Sequence, residues 1–258
     1  MASSASRAVL LRRLHADPEL LVLPNVWDVA SARVVAGLAG CRALATASYS
    51  IAAAHGYPDG EQLPFEIMLS AIERIAAAVP LPVTADLEAG YGDVDRCVRA
   101  AIGVGIVGGN IEDQLKPLGE AVAAVTATVR AAADEGVPFV LNARTDAFLL
   151  AGERDRPAVL ADAIARGRAF LDAGADCVFV PGVSAESVIA ALVAGIGHGK
   201  VSLMISPGAP PQSRLASLGV ARVSYGPWTQ RVALTALAEA GAALLAGGSL
   251  PESVRPVT

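Results

Sequence analysis

The sequence has little charge, few aromatic side chains and no long apolar run. Of its 258 residues, 17% are charged, 4% are aromatic and 53% are apolar. The basic residues form no stripe that could neutralise a row of phosphates, and the net charge is -5, so nucleic acid is not an expected partner. No apolar run reaches the roughly 18 residues of a membrane span, and no signal peptide is recognised. We therefore expect no membrane association.

Cysteine is also scarce. Cys41, Cys97 and Cys177 cannot all pair with one another, and they show neither CxxC nor Cys/His spacing. We therefore expect neither a disulfide scaffold nor a zinc site, and we predict a cytoplasmic location.

What the chain does contain is a regular alternation of strand-like and helix-like segments. The strand-like segments are residues 20–25, 43–48, 82–88, 105–113, 138–145, 177–182, 200–206 and 222–226. A segment of helical composition follows each of them, at residues 28–38, 64–79, 93–102, 120–135, 157–173, 184–194, 211–217 and 227–245. Eight such units without a long linker predict one α/β domain over residues 1–258, a (β/α)8 TIM barrel, rather than an open sheet. The tail, residues 247–258, is expected to be flexible or bound to a partner.

Polar residues share one face of the third, fourth and fifth predicted strands. Alternation places together Thr84, Asp86 and Glu88 on the third strand, Asn110 and Glu112 on the fourth, and Asn142 and Arg144 on the fifth. An ordinary barrel interior is aliphatic, and barrel enzymes carry their active sites at the carboxyl ends of the strands, where the charged members lie. We predict an active site there, with Asn110 and Asn142 binding substrate.

The charges at this mouth do not balance. Asp86, Glu88 and Glu112 face a single Arg144, and excess buried negative charge is costly without a cation. Carboxylates without a nearby His or Cys favour Mg²⁺ or Mn²⁺, with Arg144 left to bind the carboxylate of a small anionic substrate. The alternative is an internal salt-bridge cluster around Arg144.

Several segments resemble the isocitrate lyase/phosphoenolpyruvate mutase superfamily, chiefly its phosphoenolpyruvate mutase-like branch. The resemblance runs from about residue 23 to about residue 245. It is carried by LPNVWDVASARVVAGLAG at 23–40, GYPDG at 56–60, TADLEAGYGD at 84–93, NIEDQ at 110–114, LNARTDAF at 141–148 and GADCVFVPG at 174–182.

This resemblance implies a fold, a chemistry and roles for residues. It implies a metal-dependent barrel, commonly tetrameric and often with its last helix exchanged between subunits, so a homo-oligomer (a dimer or tetramer) is expected. It implies a lyase or hydrolase that makes or breaks a C–C bond of a 2-oxo or 2-hydroxy carboxylate through an enolate. The implied residues are Asp86, Glu88 and Glu112 for the metal, Arg144 for the substrate, Ser48 and Tyr49 in a substrate-binding turn, and Asp59 on the lid loop.

Departures from the superfamily pattern limit the choice of reaction. The branches that cleave isocitrate or methylisocitrate carry a Lys-Cys-Gly segment after the fourth strand, where this chain reads QLKPLGE at 114–120. Those two activities are not expected. Glu88 stands where many members have Asp, and Tyr49 where glycine is common. A C–P bond enzyme (phosphoenolpyruvate mutase or phosphonopyruvate hydrolase) and an inactive metabolite-binding barrel remain alternatives.

Three further features allow two interpretations each. Asp59 is either an acid/base group delivered by a closing lid or ordinary Asp-Gly turn chemistry. Lys116 is either a Schiff-base lysine or a solvent-facing loop lysine that can contact an anionic substrate, and the second is favoured because the acids indicate metal chemistry. The run GVGIVGG at 103–109 spells a dinucleotide pattern but precedes its strand, so we expect its glycines to serve close packing.

Overall fold

Parallel strands alternate with helices along the chain. In the computed structural model, which describes residues 4–256, the strands are Leu21–Leu23 (β1), Asn25–Val26 (β2), Leu44–Thr46 (β3), Val83–Asp86 (β4), Gly108–Glu112 (β5), Val140–Arg144 (β6), Cys177–Phe179 (β7), Val201–Met204 (β8) and Val220–Ser224 (β9). The helices are Ser4–Ala16 (α1), Val29–Ala36 (α2), Ser48–Ala54 (α3), Phe65–Ala78 (α4), Val94–Gly103 (α5), Leu118–Asp134 (α6), Arg156–Asp172 (α7), Glu186–Ile196 (α8), Gln212–Ser217 (α9) and Trp228–Leu245 (α10). The predicted TIM barrel is confirmed.

The barrel closes through its first strand. β1 pairs with β9, β2 pairs with β3, and the remaining strands pair in chain order, all in parallel. Only Pro24 separates β1 from β2. Because proline has no N–H to give to the ladder, the first barrel strand is divided into two short halves that bond to different neighbours. The nine strand segments therefore form the eight barrel strands that were predicted, because β1 and β2 together make up the first.

Helix α1 covers the amino-terminal end of the barrel and was not predicted. Its buried residues Ala8, Leu11 and Leu14 form one apolar cluster with residues of β1, β3 and β6. The guanidinium of Arg12 donates to the carbonyl of Phe139 at 3.1 Å. The apolar face of α1 is thus buried against the strand ends, which leaves the opposite mouth for the site.

Two glycines of the run at 103–109, Gly108 and Gly109, serve close packing as expected, whereas a Cβ atom on Gly103 would meet no neighbouring atom within 4 Å. A Cβ atom on Gly108 would lie 2.7 Å from a methyl carbon of Leu11 and 2.9 Å from the carbonyl oxygen of Val140. One on Gly109 would lie 3.0 Å from the ring of Phe139. The missing side chains let α1 and the neighbouring strands approach β5.

The last helix has a largely unpacked surface. On α10 only Gln230 is buried, while Val232, Leu237 and Leu245 are 71%, 66% and 92% exposed. Residues 247–256 continue without helix or strand, and the last two residues of the predicted tail lie outside the described part of the chain. Nowhere in residues 4–256 is a helix both long and apolar enough to span a membrane.

Two local expectations need correction. The third predicted strand ends at Asp86, and Glu88 follows it with a φ of 51°, so Glu88 does not continue the alternation of β4. The second predicted strand ends at Thr46 rather than Ser48, and Ser48 and Tyr49 form the first turn of helix α3. In both places the chain turns one or two residues earlier than strand periodicity predicts.

Candidate active site

A cavity of about 180 Å³ opens at the carboxyl ends of the strands. Six of the predicted site residues line it: Ser48, Tyr49, Asp59, Asp86, Asn110 and Arg144. The last residues of β4 and β6 are Asp86 and Arg144, so strand ends position the two charged groups. A roomier groove of about 610 Å³ beside Trp27 and Arg74 lies on the outer helices, away from these groups. The central cavity is therefore the candidate active site.

Asp86 has one carboxylate oxygen without a partner. Its Oδ2 accepts a 2.8 Å hydrogen bond from the hydroxyl of Ser48, and its backbone N–H donates to Thr46 Oγ1. Its Oδ1 is buried and has no hydrogen-bond partner among the described residues. A buried carboxylate oxygen left in this way is costly unless a donor or a cation is bound. Asp86 is thus prepared to hold a ligand.

Glu88 is turned away from the cavity. Its carboxylate accepts from the hydroxyl of Tyr91 at 2.8 Å and from the backbone N–H of Glu61, and the side chain is buried. Burial and the nearby charge of Asp86 raise the pKa of Glu88 to about 7, although the hydrogen bond from Tyr91 acts in the opposite direction. Glu88 therefore ties the turn after β4 to the loop that carries Asp59.

Arg144 is paired with two carboxylates. Its NH1 lies 2.8 Å from Glu112 Oε2, and its Nε donates to Asp146 Oδ1 at 2.7 Å. Burial by itself lowers the pKa of Arg144, but Glu112, Asp146 and Asp86 together hold it above its ordinary value. Burial raises the pKa of Glu112 to about 8 against the pull of Arg144. The salt-bridge cluster considered as an alternative is thus present, but it consists of Glu112 and Asp146 and does not include Asp86.

A polar layer lies directly below the cavity. Asn110 and Asn142 are register partners on β5 and β6, and Asn142 Nδ2 donates to Asn110 Oδ1 at 2.8 Å. Asn142 is fully buried and also lies 3.4 Å from Ser202 Oγ. Of the two amides, only Asn110 lines the cavity. Asn142 supports Asn110 from beneath.

The first turn of α3 forms one rim of the cavity. Ser48 Oγ lies 3.5 Å from Asp59 Oδ1, so this hydroxyl connects the lid loop with Asp86. Burial, followed by the charge of Asp86, raises the pKa of Asp59. The ring of Tyr49 is partly exposed and lies under the guanidinium of Arg231 from α10, 5.6 Å from the ring centre. The base of α10 thereby contacts the rim.

Lys116 is placed outside the central cavity. It is exposed and lines a separate recess of about 230 Å³ together with Glu61 and Glu112. The loop that carries it has two consecutive residues with left-handed backbone, Gln114 at φ 48° and Leu115 at φ 53°. Such strain persists only where the surroundings enforce it.

A buried ion pair holds that loop in place. Asp113 Oδ2 lies 3.0 Å from Arg166 NH1, which also donates to the carbonyl of Lys116. Asp113 Oδ1 accepts from the backbone N–H groups of Leu115 and Asp146. One carboxylate thus connects the loop after β5 with the loop after β6.

Three residues near the site were not predicted: Asn25, Asp146 and Arg222. Asn25 lines the cavity, and its Oδ1 accepts from the backbone N–H groups of Tyr225 and Gly226. Asp146 could have been found, because it follows Arg144 by two residues in the quoted segment LNARTDAF. Arg222 could have been found by alternation, because it precedes the cavity-lining Ser224 by two residues on the last strand.

The predicted metal ligands are not gathered at one point. Within the described part of the chain, no three His, Cys, Asp or Glu side chains are arranged to hold a metal ion by themselves. Glu88 and Glu112 are engaged by Tyr91 and Arg144, whereas Asp86 keeps a free oxygen. Mg²⁺ retains several waters and often uses only one or two carboxylates. The donor set therefore fits a hydrated hard cation anchored at Asp86.

Comparison with known proteins agrees with this geometry. A family described as phosphoenolpyruvate phosphomutase matches residues 11–245. An oxaloacetate decarboxylase of Paraburkholderia xenovorans is 31% identical over 250 residues, covering 88% of this chain and 78% of its own length. A crystal structure from Burkholderia cenocepacia has a TM-score of 0.87 with 40% identity and covers 95% of this chain and 100% of that one.

A further structure adds a ligand to the comparison. Oxaloacetate acetylhydrolase in complex with its product oxalate superposes with a TM-score of 0.86 at 28% identity, covering 99% of this chain and 92% of the other. The family match spans most of the chain, and the barrel and the charged strand ends agree with it. The chain belongs to the phosphoenolpyruvate mutase family, within the superfamily that also contains isocitrate lyase.

Proposed function

We propose that this protein is a Mg²⁺-dependent lyase or hydrolase that breaks or makes a C–C bond in a small 2-oxo or 2-hydroxy carboxylate through an enolate. The observation that carries the proposal is the unpartnered oxygen of Asp86 in the same small cavity as Arg144. An anionic site and a cationic site side by side suit a substrate that is held between a metal ion and a guanidinium. The named activities of the relatives support this substrate class.

Asp86 anchors the cation in this proposal, and a bound cation would favour the ionised forms of the neighbouring Glu88 and Glu112, whose pKa values are raised by burial. Bound there, a divalent cation stabilises negative charge on an enolate oxygen. Mn²⁺ has the same ligand preference and could replace Mg²⁺.

Arg144 binds the substrate carboxylate, and its position is fixed by Glu112 and Asp146. In a 2-oxo acid with its second carboxylate on C3, the bond between C3 and that carboxylate breaks and CO2 leaves; the bond's electron pair forms the C2–C3 double bond of the enolate, whose oxygen is the former 2-oxo group, and C3 then takes up a proton. Asp59 is the proposed proton donor, because it lines the cavity and burial favours its protonated form. Ser48, Tyr49 and Asn110 complete the substrate-binding wall, and Asn142 supports it.

A substrate panel tests the proposal. The chain is incubated with 2-oxo and 2-hydroxy mono- and dicarboxylates and with phosphonopyruvate, in EDTA and in excess Mg²⁺, and products are identified by mass spectrometry. We expect a dicarboxylate to release pyruvate or glyoxylate only with Mg²⁺. Arg144→Met should abolish turnover, whereas Arg42→Met, which removes a surface ion pair with Asp17, should not.

Two alternatives give different results in the same assay. Phosphate release from phosphonopyruvate would favour C–P chemistry. The matching family, described as phosphoenolpyruvate phosphomutase, supports this alternative. No turnover of any compound, together with carboxylate binding that is independent of Mg²⁺, would identify an inactive metabolite-binding barrel.

We also propose a homo-oligomer, a dimer or tetramer, in which a second copy of the chain covers α10. Val232 and the four leucines of α10, which its own barrel leaves exposed, support this assembly. The base of α10 is firmly attached, since Gln230 donates to the carbonyl of Ser50 at 3.0 Å and Thr229 to that of Asn25 at 2.8 Å. An assembly through α10 would therefore act close to the rim of the site.

A further inference from the structure

An arginine lies inside the barrel without a carboxylate partner. Arg222 on β9 is 1% exposed and lies one inward position below Ser224. Within residues 4–256 its guanidinium forms no ion pair; NH1 is 3.5 Å from His15 Nε2, NH2 is 3.5 Å from Asn110 Oδ1, and Nε has no partner. A buried charge without a counter-ion is costly, so its presence beneath the site calls for a functional reason.

This arginine remains charged at neutral pH. Burial lowers the pKa of Arg222 to about 10, while Cys177 and Asp86 act in the opposite direction. Burial and the charge of Arg222 also lower the pKa of His15 to about 3, so His15 is neutral and its Nδ1–H donates to the carbonyl of Leu11. One fixed positive charge therefore lies under the floor of the cavity.

Arg222 determines which way the amide of Asn110 faces. A guanidinium can only donate hydrogen bonds, so the Asn110 atom near it must be the carbonyl oxygen. Asn142 Nδ2 donates to the same oxygen at 2.8 Å. With Oδ1 held by two donors, the Nδ2 group of Asn110 keeps its hydrogen-bonding capacity for the cavity, which Asn110 lines together with Asp86 and Arg144.

We propose that Arg222 is a positioning residue that holds Asn110 so that its amide N–H donates to an oxygen of a carboxylate bound in the cavity. The inference rests on the proposed function, since it states how the carboxylate substrate class is held. The unpaired charge of Arg222 adds positive potential to the cavity floor and thereby favours an anion above it.

The test measures binding of oxalate, a planar dianion that resembles the enolate of a 2-oxo acid, by isothermal titration calorimetry in excess Mg²⁺. We expect Arg222→Met to weaken oxalate binding at least tenfold and to leave Mg²⁺ binding without oxalate unchanged. A merely structural role would not separate these two affinities. Arg33→Met, which removes the same charge from the exterior of α2, should bind oxalate as the wild type does.

A second variant tests the orientation of the amide. Asn110→Asp places a carboxylate beside Arg222 and removes the N–H donor, so its melting temperature should rise while oxalate binding is lost. In the combined Arg222→Met/Asn110→Asp variant the gain in melting temperature should vanish. If Arg222→Met fails to fold, Asn110→Asp decides alone: a lower melting temperature or retained oxalate binding overturns the inference.

Other outcomes also overturn it. The inference is wrong if Arg222→Met binds oxalate as tightly as the wild type. It is also wrong if that variant loses Mg²⁺ binding, which would assign Arg222 to the metal site. Absence of oxalate binding by the wild-type chain overturns it too. The proposed function is judged separately, because it fails when the substrate panel shows no Mg²⁺-dependent cleavage of a C–C bond.

Discussion

At the scale of single residues, the site is organised by how each carboxylate is occupied. Asp86, Glu88 and Glu112 were all predicted to bind the metal. Glu88 and Glu112 are bound by Tyr91 and Arg144, and of the three only Asp86 keeps a buried oxygen without a partner. A residue type and its spacing predict which groups approach a site. Whether a carboxylate can bind a ligand depends on the hydrogen-bond and ion-pair partners of its oxygens, and spacing along the sequence does not predict these partners.

The variant Asp86→Ala should lose Mg²⁺ binding and turnover while the fold persists. Arg144 keeps Glu112 and Asp146 as partners, so deleting Asp86 does not leave Arg144 unpaired, and removing one of several like charges relieves repulsion. In EDTA the variant should melt no lower than the wild type, and it should gain less from added Mg²⁺. Melting curves of both proteins, each in EDTA and in excess Mg²⁺, provide the measurement.

The control for that experiment is Asp86→Asn, which retains an acceptor for Ser48 without the charge. If Asp86 instead neutralises Arg144, its removal costs about 3–5 kcal/mol. A large drop in melting temperature in EDTA, with no difference in the response to Mg²⁺, would then be seen and would remove Asp86 from the metal site.

At the scale of helices and strands, the sequence predicts positions better than ends. The sequence predicts all eight barrel strands and the eight helices that follow them, because apolar runs and Gly/Pro signals repeat once in every βα unit. The inward alternation correctly placed Asp86, Asn110 and Arg144 at the cavity. It failed for Glu88, because the backbone leaves the strand conformation just before that residue.

Two helices escaped prediction for different physical reasons. Helix α1 has charged residues among its apolar ones and gains its stability from contacts with β1, β3 and β6, which no local pattern reveals. Helix α3 is only seven residues long and has no side-chain cap at Ala47. Its conformation depends on packing against the barrel and on the bond from Gln230 to Ser50.

Helix α1 should make the stability of the protein sensitive to mild acid. The pKa of His15 is about 3 in the folded state against 6.5 for an unperturbed histidine, so the unfolded state binds the proton first as pH falls. Stability is full above pH 6.5 and declines below it, by roughly 1.4 kcal/mol per pH unit from this residue. Glu88 and Glu112, whose pKa values are raised, act in the opposite direction between pH 5 and pH 7, so the comparison is between two proteins. From pH 7 to pH 5, urea unfolding should show that the wild type loses stability relative to His15→Gln.

The matched control is His198→Gln, which removes an exposed histidine and should retain the wild-type decline. Protonated His15 would face Arg222 and the nearby charge of Lys200, so no acidic neighbour compensates it. Parallel pH profiles for His15→Gln and the wild type would contradict the assignment.

At the scale of the whole molecule, the exposed apolar side chains of α10 are not explained by packing within a single barrel. Leu237 and Leu245 are 66% and 92% exposed on a helix whose base is bonded to the rim of the site. Exposed apolar surface of this kind supports the proposed interface between copies of the chain. Assembly and catalysis would then share one structural element.

The variant Leu237→Glu should dissociate the assembly. A charge placed in an apolar interface is desolvated without a partner, so the wild type should sediment as a dimer or tetramer and the variant as a smaller species. Analytical ultracentrifugation over a range of concentrations gives the measurement. Leu38→Glu, an exposed leucine of the loop after α2, is the control. A wild type that sediments only as a monomer would end the proposal.

The divided first strand has a consequence for how the chain is made. Because β1 bonds to β9, and Asn25 beside it receives hydrogen bonds from residues 200 positions later, the barrel cannot close until nearly all of the chain has been synthesised. Until then both edges of the growing sheet stay open and α1 lacks part of its binding surface. Open edges pair readily with other chains, so the growing chain is exposed to aggregation until its last strand is available to close the barrel.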